Sequence, residues 1–264
     1  MKHKEYTTIL VDVQDRIATV TFNRPEFANA YTPVTNIELR EVLDALDEDT
    51  DVGCIVITGK GKHFSAGGDI YRMKRQIEEQ TYMPKTNIIN DGMLGYAIRR
   101  CGKPIIAMIN GAAAGAGASL AVACDFRVMT QRSKIVMSFV NMGLSGDTGS
   151  IYNLYKLVGA SKMTQMIMLG ERMSGKEAAD LGIAYLAEDD QLEAVTYALA
   201  KRLAAMPTYA IKRIKLNLLN TIYADLPKLA FMEADAMWDC GRTHDFEEAV
   251  NAFIEKRDPE FTGT

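Results

Sequence analysis

Three stretches of this chain combine residue types that can do chemistry. Two are small-residue loops, Ala66-Gly67-Gly68 in HFSAGGDI and Gly115-Ala116-Gly117 in GAAAGAGASL. Each follows an apolar run of strand length and precedes a helical pattern. Glycine and alanine at such turns let a ligand approach the backbone closely, and the start of a helix leaves N–H groups without partners. Two such N–H groups aimed at one carbonyl oxygen would hold an enolate as charge develops on it. Tight packing turns account for the same residues, and either loop alone is a weak motif. In the second loop Gly115 and Gly117 are followed by Leu120 where GxGxxG needs its third glycine, which disfavours a dinucleotide site.

The third stretch is GLSGDTGS, with Asp147 just before a helical pattern. A carboxylate there can take a proton and return it. Apolar Phe139, Val140, Met142 and Leu144 nearby would strip water from it and raise its pKa. Aspartate is also a common N-cap or Asx-turn residue in glycine-rich loops, so the residues alone leave both readings open. Ser119 is expected to turn its hydroxyl toward the pocket; no histidine–acid pair is evident that would make it a nucleophile. Asp69, after Ala66-Gly67-Gly68, reads as a helix N-cap, and Asp125 as structural. His3, His63 and His244 and the cysteines at 54, 101, 124 and 240 show no metal-ligand spacing, so no metal site is expected. Cys54 and Cys124 sit in apolar runs and read as buried thiols, which suits a reduced, cytoplasmic protein.

The bulk properties narrow the partners. Net charge is −4 with the signs interspersed, so no basic face recommends nucleic acid. No apolar run approaches the ~18 residues of a membrane span. MKHKEYTTIL has cationic residues but no apolar core after them, so no signal peptide is expected. A chain of 264 residues suits one large α/β domain, or such a domain with a helical appendage.

Positioning those loops falls to alternating strands and helices. Strands are expected at 7–13 and 16–22 with a hairpin at Gln14-Asp15, then at 53–58, 104–109, 126–129, 135–137 and 183–186. Helical patterns cover 32–47, 69–80, 86–100, a short segment from Ala116, 150–158, 161–168 and 175–181. Leu39, Val42, Leu43 and Leu46 give the first of these one apolar face. Alternation of this kind implies βα units and largely parallel pairing. From about Gln191 the strand signals stop. Helical patterns follow at 192–205, 209–219, 226–238 and 245–255, too thin to fold alone. The division expected is therefore 1–190 for the core and 191–264 for a helical region packed on it or on a second subunit.

HFSAGGDI paired with INGAAAGAGASLAVACD resembles the enoyl-CoA hydratase/isomerase (crotonase) superfamily. NRPEFANA, LVGASKMTQMIMLGERMSGKEAADLGIAYLA and EEAVNAFIEKRDPEF add to the likeness, which spans nearly the whole chain. The resemblance implies an α/β crotonase fold of repeated β-β-α units with a C-terminal helical trimerisation region. It implies a trimer or dimer of trimers and acyl-CoA thioester substrates, with coenzyme A entering as part of the substrate and no separate cofactor. By motif position the oxyanion-hole N–H groups fall on Ala66 and Ala116, the latter usually glycine in the family. Lys62, Ser65, Gly67, Gly68, Asp69, Ile70, Gly115, Ser119, Phe139, Leu144, Phe253 and Lys256 fall at substrate- or CoA-contacting positions. Lys60 and Lys62 read equally well as solvated loop lysines. Tyr71, Met73, Tyr82 and Met83 are candidates for the acyl pocket.

The positions of the two glutamates of the family's hydratases fall on Ser119 and Phe139, neither of which ionises usefully. Hydration needs one group to activate water and another to protonate carbon. Asp147 falls at the catalytic aspartate of the isomerase branch, which includes the ring-opening isomerase of the phenylacetyl-CoA route; the family's preceding proline is Gly146 here. The leading expectation is an acyl-CoA isomerase with Asp147 as acid/base. The alternatives are a hydratase, lyase or hydrolase of the same fold, using water placed by Ser119 or Asp147, and a non-catalytic acyl-CoA-binding subunit.

Overall fold

In a computed structural model, which describes residues 5–82 and 84–264, the chain opens on a hairpin. Strands β1 (Ile9–Gln14) and β2 (Ile17–Phe22) pair antiparallel with Gln14 opposite Ile17. The two-residue loop puts Asp15 and Arg16 at φ 51° and 64°, the left-handed pair that matches the twist of a tight hairpin. Helix α1 (Pro33–Glu48) starts at a capping box in which the Thr32 and Thr35 side chains satisfy each other's backbone N–H. Its Leu39, Val42, Leu43 and Leu46 are buried, as their spacing requires. Strand β3 (Cys54–Gly59) is buried at every position. Helices α2 (Ile70–Glu78) and α3 (Lys85–Arg100) follow, then β4 (Ile105–Ile109). Met83, one of the acyl-pocket candidates, lies outside the described residues.

The loop after β4 contains a short strand, β5 (Ala112–Ala114), where the sequence suggests only a turn. Helix α4 (Ala116–Ala123) begins two residues later. Next come β6 (Phe126–Thr130), β7 (Lys134–Val136), α5 (Ser150–Leu169), β8 (Arg172–Ser174), α6 (Gly175–Asp180) and β9 (Tyr185–Ala187). Two helices were expected where α5 lies; Gly159, at φ 74° and ψ 171°, breaks it between them. β8 was not expected, because three residues are too few to show an alternation. The main sheet has the order β1-β2-β3-β4-β6-β9, parallel from β2 onward, and β5-β7-β8 form a second, smaller sheet.

Strands buried on both faces need cover on both. One face carries Ile55, Ile57, Ile105, Ala107 and Ile109 into a core with α1, α3 and α4. The other carries Ile17, Cys54, Val56, Ile106 and Met108 against Leu192, Ala200 and Ala204 of α7 (Leu192–Ala204). Helices α8 (Thr208–Asn220), α9 (Leu226–Cys240) and α10 (His244–Glu255) complete the chain. Lys215 of α8 ties this helical region to the core: its buried ammonium donates to the carbonyls of Ile98 and Lys103 and, at 2.5 Å, to Asp125. Asp125 also accepts the Ile105 N–H, the structural role expected of it.

Candidate active site

The two small-residue loops are joined to each other. Ser65 N–H donates to the Ala112 carbonyl at 3.2 Å and Ala114 N–H to the Ser65 carbonyl at 2.9 Å. Between them Gly67 sits at φ +86°, and a Cβ there would lie 2.7 Å from the Ala114 carbonyl oxygen and 3.3 Å from the Ala116 nitrogen. Only glycine permits that approach. Ser65 is wholly buried, with its hydroxyl donating to the Asn29 carbonyl and accepting from Gly67 N–H, so it braces the loop rather than facing a ligand.

This pairing corrects one expectation. The Ala66 N–H donates to the Ala28 carbonyl at 2.9 Å and is not available to a substrate oxygen. Two residues on, the Gly68 N–H has no hydrogen-bond partner among the described residues. Nor has the Ala116 N–H, at the first position of α4, where the helix supplies no acceptor. The free pair is therefore Gly68 and Ala116. Nothing in the sequence distinguishes Gly68 from Ala66; the Ala28 carbonyl does, and it comes from a segment far back in the chain.

Asp147 lies in a loop that holds unusual backbone: φ is +112° at Gly146, +61° at Thr148 and +72° at Gly149. Its half-buried carboxyl accepts the Thr148 hydroxyl at 3.0 Å. Burial, then the Glu233 carboxylate and, more weakly, Asp91 push it up to about 7, against a smaller lowering by Thr148. Glu233 is a residue that sequence reasoning missed. It reaches over from α9 to accept the N–H groups of Gly149 (2.7 Å) and Ile151 (3.2 Å) at the start of α5. No local pattern announces a cap supplied from another helix.

Two cavities meet at these groups. The inner one, about 130 Å³, and the outer one, about 770 Å³, share Gly68, Asp69, Met73, Ala116, Leu144, Asp147 and Met237 in their walls. Ala66, Ile70, Tyr71, Gly115, Phe139 and Phe253 line the outer cleft. Tyr82 lines the inner one. Lys62 and Lys256 are exposed and line neither cavity; His63 and Arg257 line the outer cleft instead. Ser119 departs from expectation as well. It is wholly buried, and its hydroxyl donates to the Gly115 carbonyl of the preceding turn, not into a pocket. Asp69 caps α2 through the Arg72 N–H and pairs with Arg24 at 2.9 Å. Among the described residues no group of three or more His, Cys, Asp or Glu is placed to hold a metal ion.

Residues 12–264 match the family described as enoyl-CoA hydratase/isomerase. The chain belongs to that family. Among curated relatives it is 32% identical to the trans-2-decenoyl-[acyl-carrier-protein] isomerase of Streptococcus mutans, over 98% of this chain and 99% of that one. It is 32% identical to the 1,2-epoxyphenylacetyl-CoA isomerase of Escherichia coli, over 97% and 98%. It is 29% identical to the short-chain-enoyl-CoA hydratase of Clostridium acetobutylicum, over 96% and 97%. The solved enoyl-CoA hydratase of Mycobacterium avium subsp. paratuberculosis superposes with a TM-score of 0.88 at 27% identity, covering 98% of this chain and all of that one. The fold is thus the crotonase fold. Ser119 is turned into its own helix, and Phe139 is an apolar wall of the cleft, so neither offers an acid or base there.

Proposed function

We propose that this chain is an acyl-CoA isomerase that shifts a double bond, or opens a strained ring, through a CoA-thioester enolate. The observation that carries it is the Asp147 carboxyl, with raised proton affinity, set where two cavities meet beside the free N–H groups of Gly68 and Ala116. In this reading the thioester carbonyl accepts from Gly68 and Ala116 N–H. The Asp147 carboxylate takes a proton from one carbon of the acyl chain, and the C–H electron pair moves toward the thioester oxygen. The two N–H groups hold the charge that gathers there. The protonated Asp147 then returns the proton two carbons away, so one acid/base group serves both steps. The names of the S. mutans and E. coli relatives, both isomerases, support the reading.

Asp147→Asn keeps the shape and removes the base. It is expected to bind acyl-CoA as the unaltered protein does while losing turnover and solvent-deuterium incorporation into a 3-enoyl-CoA by at least about 10³-fold. Wild-type exchange rates in Asp147→Asn, or efficient hydration of crotonyl-CoA by the unaltered protein, would sink the proposal. The same reading covers exposed Tyr209, Ile214, Phe231 and Met232 of α8 and α9 with other copies of the chain. Light scattering should then read three or six chains; a monomer would contradict it.

A further inference from the structure

The inner cavity is not the plain apolar sleeve that a saturated chain would want. Ile77, Ile88, Leu94, Met73 and Phe246 supply apolar walls. Beside them lie polar side chains that no hydrogen bond among the described residues engages, Tyr31, Arg72, Asp91 and Gln76 among them, with Arg72 and Asp91 within reach of each other's charge. The Tyr31 hydroxyl is buried and makes no hydrogen bond. The Arg72 guanidinium and the Asp91 carboxylate line the same cavity, and neither makes a side-chain hydrogen bond or ion pair among the described residues. Among the described residues the Asn36 side chain bonds only the Asp91 backbone carbonyl. Other polar groups nearby are engaged: Asp69 by Arg24, Asp147 by Thr148, and Arg242 by the Trp238 carbonyl and ring.

We propose that the inner cavity selects acyl chains bearing a hydroxyl group beyond the reacting carbons, received by Arg72, Asp91 and Tyr31. This rests on the proposed seat of the thioester at Gly68 and Ala116, from which the chain runs into the inner cavity. A hydroxyl donates once and accepts twice, so it can serve a carboxylate and a guanidinium together. A carboxylate substituent would meet Asp91, and an ammonium would meet Arg72. A plain alkyl chain would fill the cavity and leave the Tyr31 hydroxyl, the Arg72 guanidinium and the Asp91 carboxylate without a hydrogen-bond partner, the situation by which a hydrogen-bonding site rejects an analogue lacking the group. Burial holds the Tyr31 phenol well above its usual pKa, so it stays protonated and able to donate.

Calorimetric binding of saturated thioesters tests this without turnover, using octanoyl-CoA, its 4-, 6- and 8-hydroxy derivatives and the eight-carbon ω-carboxy analogue. At least one hydroxy derivative should bind about tenfold or more tighter than octanoyl-CoA, the size of one hydrogen bond to a charged group. In Arg72→Leu and Asp91→Leu that gain should fall below about threefold. Tyr31→Phe, which keeps the ring, should weaken the gain if either leucine variant fails to fold. The proposal is overturned if no hydroxy derivative improves on octanoyl-CoA, if the ω-carboxy analogue binds best, if no thioester binds, or if all three variants keep the gain. Proton exchange on plain enoyl-CoAs with no hydroxyl preference would remove this proposal and leave the isomerase reading standing. A hydroxyl preference without exchange would do the reverse.

Discussion

Burial and the Glu233 carboxylate push the Asp147 carboxyl up to about 7, and two consequences with opposite signs follow. A base must be deprotonated to act, so kcat/KM for isomerisation is expected to rise with pH through an apparent pKa near 7. A rising limb near 4 would remove the claim that the site tunes this group. Stability runs the other way. The folded pKa lies above the unfolded one, so the folded state holds the proton more tightly. That contribution is whole below an unfolded pKa of about 3.9 and is lost as pH rises through about 7. Asp147→Asn carries no charge to desolvate. It should be more stable than the unaltered protein at pH 8 by on the order of 1–3 kcal/mol, with the two converging near pH ~4. Urea unfolding at both pH values measures the difference.

Between elements, α5 depends on α9. Its first N–H groups are capped by Glu233, so the loop bearing Asp147 is anchored at a helix start that another helix completes. Glu233→Gln keeps the volume and one acceptor but removes the charge that faces Asp147. It should move the rising limb of the pH–rate profile below about 7. A limb that stays in place would show that the Glu233 charge does not act on Asp147. Gly146 stands at φ +112°, where proline, locked near φ −65°, cannot follow.

Across the molecule, the helical region after Gln191 is joined to the core by burial over α7 and by the Lys215 clamp. Lys215→Met would leave the Asp125 carboxylate with the Ile105 N–H and, 3.9 Å away, Arg99. Breaking a buried pair from one side costs about 3–5 kcal/mol, and urea unfolding should read a loss of that order. Less than ~1 kcal/mol would mean that Arg99 takes over the pairing. The helical character of this region was legible in the loss of strand signals. The clamp was not, since a lysine in a helical pattern looks like any solvated cation until its neighbours are known.

The elements themselves were readable because their causes are local. Apolar spacing in Leu39, Val42, Leu43 and Leu46, the caps at Thr32 and Asp69, and the small residues of the two loops act over a few positions of chain. The same locality made Asp147 stand out, as a carboxyl between glycines ahead of a helix. Which backbone N–H groups remain free is a different kind of fact. Ala66 loses its N–H to Ala28, Gly68 keeps its own, and Ser119 turns its hydroxyl back to Gly115. Each outcome depends on an acceptor delivered by folding, and a hydrogen bond satisfied inside the protein cannot also hold a substrate. The raised proton affinity of Asp147 is of that kind too, because it comes from burial and from a carboxylate on a helix far along the chain.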